Sequence, residues 1–363
     1  MADKNITLRQ KNTSGVYDKL YTKTTATQSK LSTATAELFG DGTSDADAAL
    51  AKIADTVKSI GNVQVKVVDP SGNPIQGARI TGLYGTPTTA SDGTAHGVLQ
   101  TNPISISSPY IDLKDQTADA SGYAGSFDVL TITLPIVGEN SITRVTSSKT
   151  VKFSKVVKTV DVCCVGGGGG GTIDAHYTVS GGWSGNNGCG GGGGAIVNGY
   201  GLSITALTSY PIIIGNGAAV AISDPNLRGK GGTTSFLTVS AQGGYSGYFV
   251  ISTEYYNEPH SGAAGAAGCG DGGGGSNTTV SEFNDGVTFY SGGGGNGFQN
   301  GGSPNGANGV QSSASYPYYP VNATTAGIGG GGGGGGGMII DGDMKTANGS
   351  AGGSGLVAIR FHF

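Results

Sequence analysis

Charge is what this chain has least of: 12% of its 363 residues are Asp, Glu, Lys or Arg, about half the share usual in soluble proteins. Basic residues are scarcer still after residue 160. Only Arg228, Lys230, Lys345 and Arg360 remain there against ten Asp and Glu, a net charge of −6, whereas residues 1–160 carry +2. A nucleic-acid role is excluded for a region so acidic and so poor in Lys. No apolar run approaches the roughly 20 residues of a membrane helix. The opening Met1-Ala-Asp-Lys-Asn-Ile-Thr7 has no apolar core of a signal peptide. The expectation is a soluble protein made in a cytoplasm, without membrane insertion.

Catalytic residue types are equally sparse. The four histidines, His96, His176, His260 and His362, fall in no HExxH, HxH or nucleophile-elbow context. His96, beside Gly93 and Gly97, reads as a turn residue. Gly229-Lys230 lacks the upstream glycine and the Ser/Thr of a phosphate loop. Glycan cleavage needs two carboxylates across a sugar; Glu254 with Glu258, or Asp271 with Glu282, are pairs that nothing distinguishes. Asp341-Gly-Asp343 lacks the terminal bidentate Glu of a calcium loop. No enzymatic activity, cofactor or metal is expected.

Cysteine is rare, and its four copies, Cys163, Cys164, Cys189 and Cys269, all lie in the second half. Adjacent residues of a strand face opposite sides, so Cys163 and Cys164 cannot form a CxxC-type zinc pair. Buried free thiols are expected, with a Cys189–Cys269 disulfide as the alternative.

What the chain has in excess is glycine: 58 of its 71 glycines follow residue 160. They form tracts at Gly166–Gly171, Gly190–Gly194, Gly272–Gly275, Gly292–Gly295 and Gly329–Gly337. Glycine loses the most freedom on ordering, so such tracts ordinarily mean linkers. These alternate with apolar runs of strand type, at 160–165, 195–197, 210–214, 234–239 and 356–361, which need a core. A three-residue-per-turn polyproline II helix leaves every N–H and C=O pointing sideways. Without side chains several can pack and bond one another's backbones. At about 3.1 Å per residue the nine-residue tract would span about 28 Å. The reading is ordered, packed polyglycine II helices.

In chain order, residues 1–43 are polar, with Val16-Tyr17, Leu20-Tyr21 and Leu38-Phe39 as anchors. In 44–61, Ser44 is placed to cap a helix, with Asp45 and Asp47 in its first turn. Its apolar Leu50, Ile53, Val57 and Ile60 form a two-heptad seam that leans toward three or more strands, with packing on a neighbouring domain as the alternative. From 62 to 137 the pattern alternates, with Val63, Val65 and Val67 on one face and a turn at Asp69–Pro74. This predicts a small seven-strand-type β-sandwich. Residues 138–363 form a glycine-rich β domain. Its long inserts, 245–262, 276–291 and 310–328, carry Tyr245, Tyr248, Phe249, Tyr255, Tyr256, Glu258 and His260, then Phe283, Phe289 and Tyr290, then Tyr316, Tyr318 and Tyr319. Tyrosine offers contact area at low entropy cost with a polar tip. Some rings are expected to cover the tracts and several to be exposed. The candidate receptor-binding residues are Tyr255, Tyr256, His260, Tyr316, Tyr318 and Tyr319.

Four resemblances give this a context. Leu20-Tyr-Thr-Lys-Thr-Thr25 resembles a stretch near the start of many phage tail-fibre chains. Val65, Val67, Asp69, Gly72, Pro74, Gly77, Ala78 and Ile80, with Thr89 and Ser91-Asp-Gly93, resemble the first hairpin and later turn of carboxypeptidase-regulatory-like or transthyretin-like sandwiches. The order Val160–Gly171, Gly188–Val197, Ile212–Gly217 and Gly352–Phe361 is similar to that of the glycine-rich domains of phage tail fibres. The alternation of tracts and loops is similar to the T-even phage adhesins, although no loop residue matches theirs one by one. The resemblance implies a homotrimeric virion protein of a tail tip or fibre. Its N-terminus would join other tail or baseplate proteins, and its glycine-rich head would bind a bacterial surface glycan or protein. The alternative is a bacterial surface or secreted adhesin without enzymatic activity.

Overall fold

The computed structural model describes residues 7–11, 17–21, 61–172, 189–220, 229–250, 258–260, 277–295, 300–309, 311–312, 320–340 and 343–363. Among them the fold is mainly β, in several small sheets without an α-helix. The expected helix over 44–61 lies outside the described residues. Two compact units divide the chain: Met1–Pro109 with Lys114–Pro135, and Tyr110–Leu113 with Ile136–Phe363.

In the first unit, strands β1 (Thr7–Lys11) and β2 (Tyr17–Tyr21) pair antiparallel. The sequence reading had not anticipated them. There follow β3 (Asn62–Val68), β4 (Arg79–Thr81), β5 (Thr94–Val98), β6 (Ile104–Ser107), β7 (Gln116–Ala118) and β8 (Val129–Thr133). They form two three-stranded sheets, β5-β3-β8 and β4-β6-β7, so six strands stand where a seven-strand type was expected. The pair β3–β8 is parallel. Alternation decides burial as predicted: Val63, Val65 and Val67 are fully buried, as are Ile80, Ile104 and Ile106 of the other sheet. His96 is an exposed strand residue opposite Gln64, not a turn residue. The turn after β3 is tied by Asp69, whose Oδ1 accepts from the N–H of Ser71 and Asn73 at 2.9 and 2.8 Å. Gly93 is fixed by two constraints, a φ of +79° and the carbonyl of Val67, which a Cβ would strike.

The second unit is organised on β11. Its strands are β9 (Ile142–Val145), β10 (Lys149–Lys152), β11 (Thr159–Val165), β12 (Ile196–Ser203), β13 (Ser209–Ile212), β14 (Thr234–Phe236) and β15 (Val239–Ala241). They continue as β16 (Tyr248–Val250), β17 (Glu258–His260), β18 (Gln311–Ser312), β19 (Pro320–Val321), β20 (Gly336–Ile340), β21 (Asp343–Ala347) and β22 (Leu356–His362). The main sheet has the order β12-β11-β22-β9, all antiparallel. The apolar run at 234–239 is two strands rather than one, because Leu237 turns with a φ of +53°.

β11 is buried on both faces, which explains its unbroken apolar run. Cys164 faces a core of Phe153, Phe236, Phe361 and Ile359, with Phe153 central and its ring 6.3 Å from those of Phe236 and Phe361. Cys163 faces the other way, toward Phe283, Tyr290, Leu356 and Ile196. Burial pushes both thiols up to about 12. They are free and neutral, as the sequence predicted for adjacent strand cysteines. Cys189 is also buried; Cys269 lies outside the described residues.

Leaving β11, the chain runs straight into Gly166–Gly171, and all six of these residues donate a hydrogen bond. Gly166 and Gly169 donate to the carbonyls of Ala195 and Gly192 at 2.9 and 2.8 Å, and Gly168 and Gly171 to those of Gly353 and Ser350 at 2.8 and 2.9 Å. Gly167 donates to Gly232 O at 3.0 Å, and Gly170 to Ser246 Oγ at 3.0 Å. In return Gly167 and Gly170 accept from Gly244 and Gly247, Gly168 from Ala218, and Gly169 from Gly332. Six segments thus surround the tract among the described residues: 189–195, 215–219, 229–232, 242–247, 329–335 and 350–355. Gly166 and Gly169 donate to one segment and Gly168 and Gly171 to another, while Gly167 and Gly170 donate to different segments and accept from the same one. A Cβ on any of these six glycines would lie under 3.0 Å from a backbone carbonyl oxygen, so residue type follows from packing. Buried backbone groups must be paired, and here other backbones pair them. The nine-residue tract is shared between two uses, since Gly329–Gly335 joins this array while Gly336 and Gly337 open β20.

Candidate functional site

The last strand is locked to its neighbour by charge. Asp161 stands opposite Arg360 in the β11–β22 ladder. Its Oδ2 accepts from Arg360 Nε at 2.9 Å, from the Arg360 terminal nitrogen, and from His362 Nε2 at 3.0 Å. Its Oδ1 accepts from Gly201 N at 2.8 Å. Burial alone would raise the Asp161 carboxyl, but the Gly201, His362 and Arg360 bonds hold it below its usual value. The guanidinium of Arg360 lies 4.6 Å over the ring of Phe283, a cation–π contact. That contact carries the lock into the second aromatic insert.

This insert is anchored at its root. Glu282, fully buried, receives Arg144 Nε at 3.1 Å and NH2 at 2.9 Å, together with the hydroxyl of Tyr290. Arg144 Nε also reaches that hydroxyl at 2.9 Å. Burial and the neighbouring Glu282 carboxylate push the Tyr290 phenol up to about 12. Asn198 of β12 adds two bonds, donating to Ser281 O at 3.0 Å and accepting from Phe283 N at 3.1 Å. A buried carboxylate needs such complete pairing. Glu282, nominated from sequence as one of a carboxylate pair, is therefore a structural anchor.

Above the root the insert turns outward. Asp285 Oδ1 accepts from Val287 N and Thr288 N, both at 2.9 Å, and Glu282 N donates to Thr288 O at 2.8 Å. The tip residue Val287 is 81% exposed. Facing it is the Ser303–Pro304 turn, tied across by Ser303 N to Asn277 Oδ1 at 2.7 Å. Between the two walls lies an open cleft of about 640 Å³, lined by Asn277, Thr278, Val287, Thr288, Phe289, Ser303 and Pro304. Its volume is within the roughly 300–1,000 Å³ of small-molecule sites. Neither a carboxylate nor a cation is among its described lining residues.

Of the residues singled out from sequence, Tyr255, Tyr256, Tyr316, Tyr318 and Tyr319 lie outside the described residues. His260 pairs with Tyr248 at the end of β17. In the second insert the rings divide. Phe283 and Tyr290 are buried covers of the main sheet, and Phe289 is half-buried at the cleft. Tyr245 stays partly exposed with Lys230 Nζ 4.7 Å over its ring. Sequence reasoning missed Asn277, Thr278, Ser303 and Pro304, whose only signal was proximity to glycine tracts. No group of three or more His, Cys, Asp or Glu placed to hold a metal occurs among the described residues.

No curated protein matches the chain. A family model described as a glycine-rich domain matches residues 143–362, which include the main sheet, the tract array and the cleft. Spanning more than half of the chain, that match shows that this protein belongs to the glycine-rich domain family.

Proposed function

We propose that this chain is a receptor-binding protein of a phage or phage-like tail tip or fibre. Its tracts, packed as polyglycine II helices, form a rigid head, and the inserts between them bind a bacterial surface glycan or protein. The observation that carries this reading is the Gly166–Gly171 tract, in which every N–H donates to a neighbouring segment. A core with no side chains to repack tolerates sequence change in the loops it displays, the arrangement recognition surfaces favour. Residues 62–137 serve as a spacer resembling transthyretin-like modules, residues 44–61 as a trimerising neck, and residues 1–43 as the attachment to other tail or baseplate proteins. A single sugar contact of millimolar strength gains only about 4 kcal/mol, and display in three copies compensates. The protein acts by binding, without catalysis.

Adsorption of the labelled protein to a panel of bacterial strains tests this. A subset of strains should retain it. Replacing Tyr255 and Tyr256, or Tyr318 and Tyr319, by Ala should abolish retention while the melting temperature holds. If no strain retains the protein the reading fails, and if both double variants adsorb like the parent the receptor surface is not on those loops.

A further inference from the structure

We propose that the cleft between the 285–289 turn and Ser303–Pro304 binds an uncharged saccharide unit. The inference rests on the reading of the second unit as a receptor-binding head and names the ligand class of one place on it.

Three observations carry it. The cleft is preorganised, because both walls are fixed before any ligand arrives. The Asp285 turn holds one wall, and the other is tied across the gap by Ser303 N to Asn277 Oδ1 at 2.7 Å and Thr278 N to Ser303 O at 3.3 Å. Little ordering entropy remains to oppose binding. The described lining residues also carry no charged side chain. A phosphate, carboxylate or ammonium group would give up hydration there without a counter-charge, which is unfavourable. Finally the lining has two characters. Phe289 and Pro304 offer flat apolar faces, while Thr278, Thr288, Ser303 and Asn277 bring hydroxyl and amide groups. A pyranose ring has the matching pair, a C–H face that stacks on an aromatic ring and a rim of hydroxyls that need donors and acceptors.

An array of neutral and acidic bacterial saccharides, probed with the full chain clustered on beads, tests the assignment. Two variants accompany it. Val287→Asp puts a carboxylate on the exposed tip without touching the core, and Phe289→Ala removes the ring. Phe127→Ala, at an exposed position of the first unit, serves as control. The expected result is binding to uncharged saccharides that falls at least tenfold in Val287→Asp and Phe289→Ala and is unchanged in Phe127→Ala. Binding confined to acidic saccharides overturns the proposal, as does no binding, or neutral binding that survives both cleft variants. Should Phe289→Ala melt below the parent, Val287→Asp alone decides. Adsorption of the same protein to whole bacteria separates the two readings. If cells retain it while the array result fails, the head still binds a receptor and the cleft is not where a neutral sugar sits.

Discussion

Asp161 and His362 are 201 residues apart in the chain, yet Asp161 Oδ2 and His362 Nε2 lie 3.0 Å apart. The other ring nitrogen, Nδ1, is 3.1 Å from Glu139 Oε1. With a carboxylate at each nitrogen the ring serves best as a double donor, which is the imidazolium. The Asp161 bond, joined by that of Glu139, raises His362 above its ordinary value of 6.5, against a smaller opposing effect of burial.

The sign of the pH dependence follows. A raised histidine contributes its stabilisation in full below about 6.5 and loses it as pH climbs through the higher value of the folded state. Asp161 and Glu139, both lowered, contribute above the ordinary carboxylate range and lose their part in acid. Melting followed from pH 5 to 9 should therefore decline above about 6.5. His362→Gln should flatten that decline, and an unchanged slope in the variant would show that another group is responsible.

Gly333→Val tests the tract array. A Cβ there meets the carbonyl oxygen of Asn308, and the surrounding bonds run both ways to Ser350, from Gly333 N to its Oγ at 2.8 Å and from its N to Gly333 O at 2.9 Å. Displacing them leaves buried backbone groups unpaired at about 1–3 kcal/mol each. The variant should lose its cooperative melt or become protease-sensitive. Gly122→Ala, where nothing lies within 4 Å of the added Cβ, should stay within about 0.5 kcal/mol of the parent.

Arg144→Met should loosen the second insert. Removing one partner of a buried pair costs about 3–5 kcal/mol, but the Arg144 side chain is 43% exposed and water screens its share. A loss of about 2 kcal/mol is expected. Amide exchange should quicken in 281–291 and leave the Val63–Val67 stretch unchanged. Adding Glu282→Leu should recover part of the loss, since the stranded charge is then gone.

Much of this architecture was legible because two periods were clean. Val63, Val65 and Val67 declared their buried face by alternation, and Val160–Val165 declared burial on both faces by having none. The division of Cys163 and Cys164 between two cores followed from strand geometry alone. The Leu237 turn was illegible, because its apolar neighbours continue the run and only a positive φ breaks it. The anchor of the second insert was hidden for another reason. Arg144 and Glu282 are 138 residues apart, and nothing local in either segment signals a partner that the sheet order alone brings near. The Asn277–Pro304 cleft was obscured likewise, since its polar residues look like ordinary turn composition until two turns face each other.

The pairing of Gly166 with Gly169, and of Gly168 with Gly171, onto the same neighbouring segments limits how the second unit can change length. Deleting one glycine would present the following amides to different neighbours. Deleting three would keep the amides at the Gly166/Gly169 and Gly168/Gly171 positions aimed at their former segments. Insertions and deletions inside the tracts should therefore be admitted in threes, and those in the loops in any number. The genetic code's own triplet has no part in this: the unit counted is the residue, and the frame being kept is that of the hydrogen bonds to the neighbouring segments.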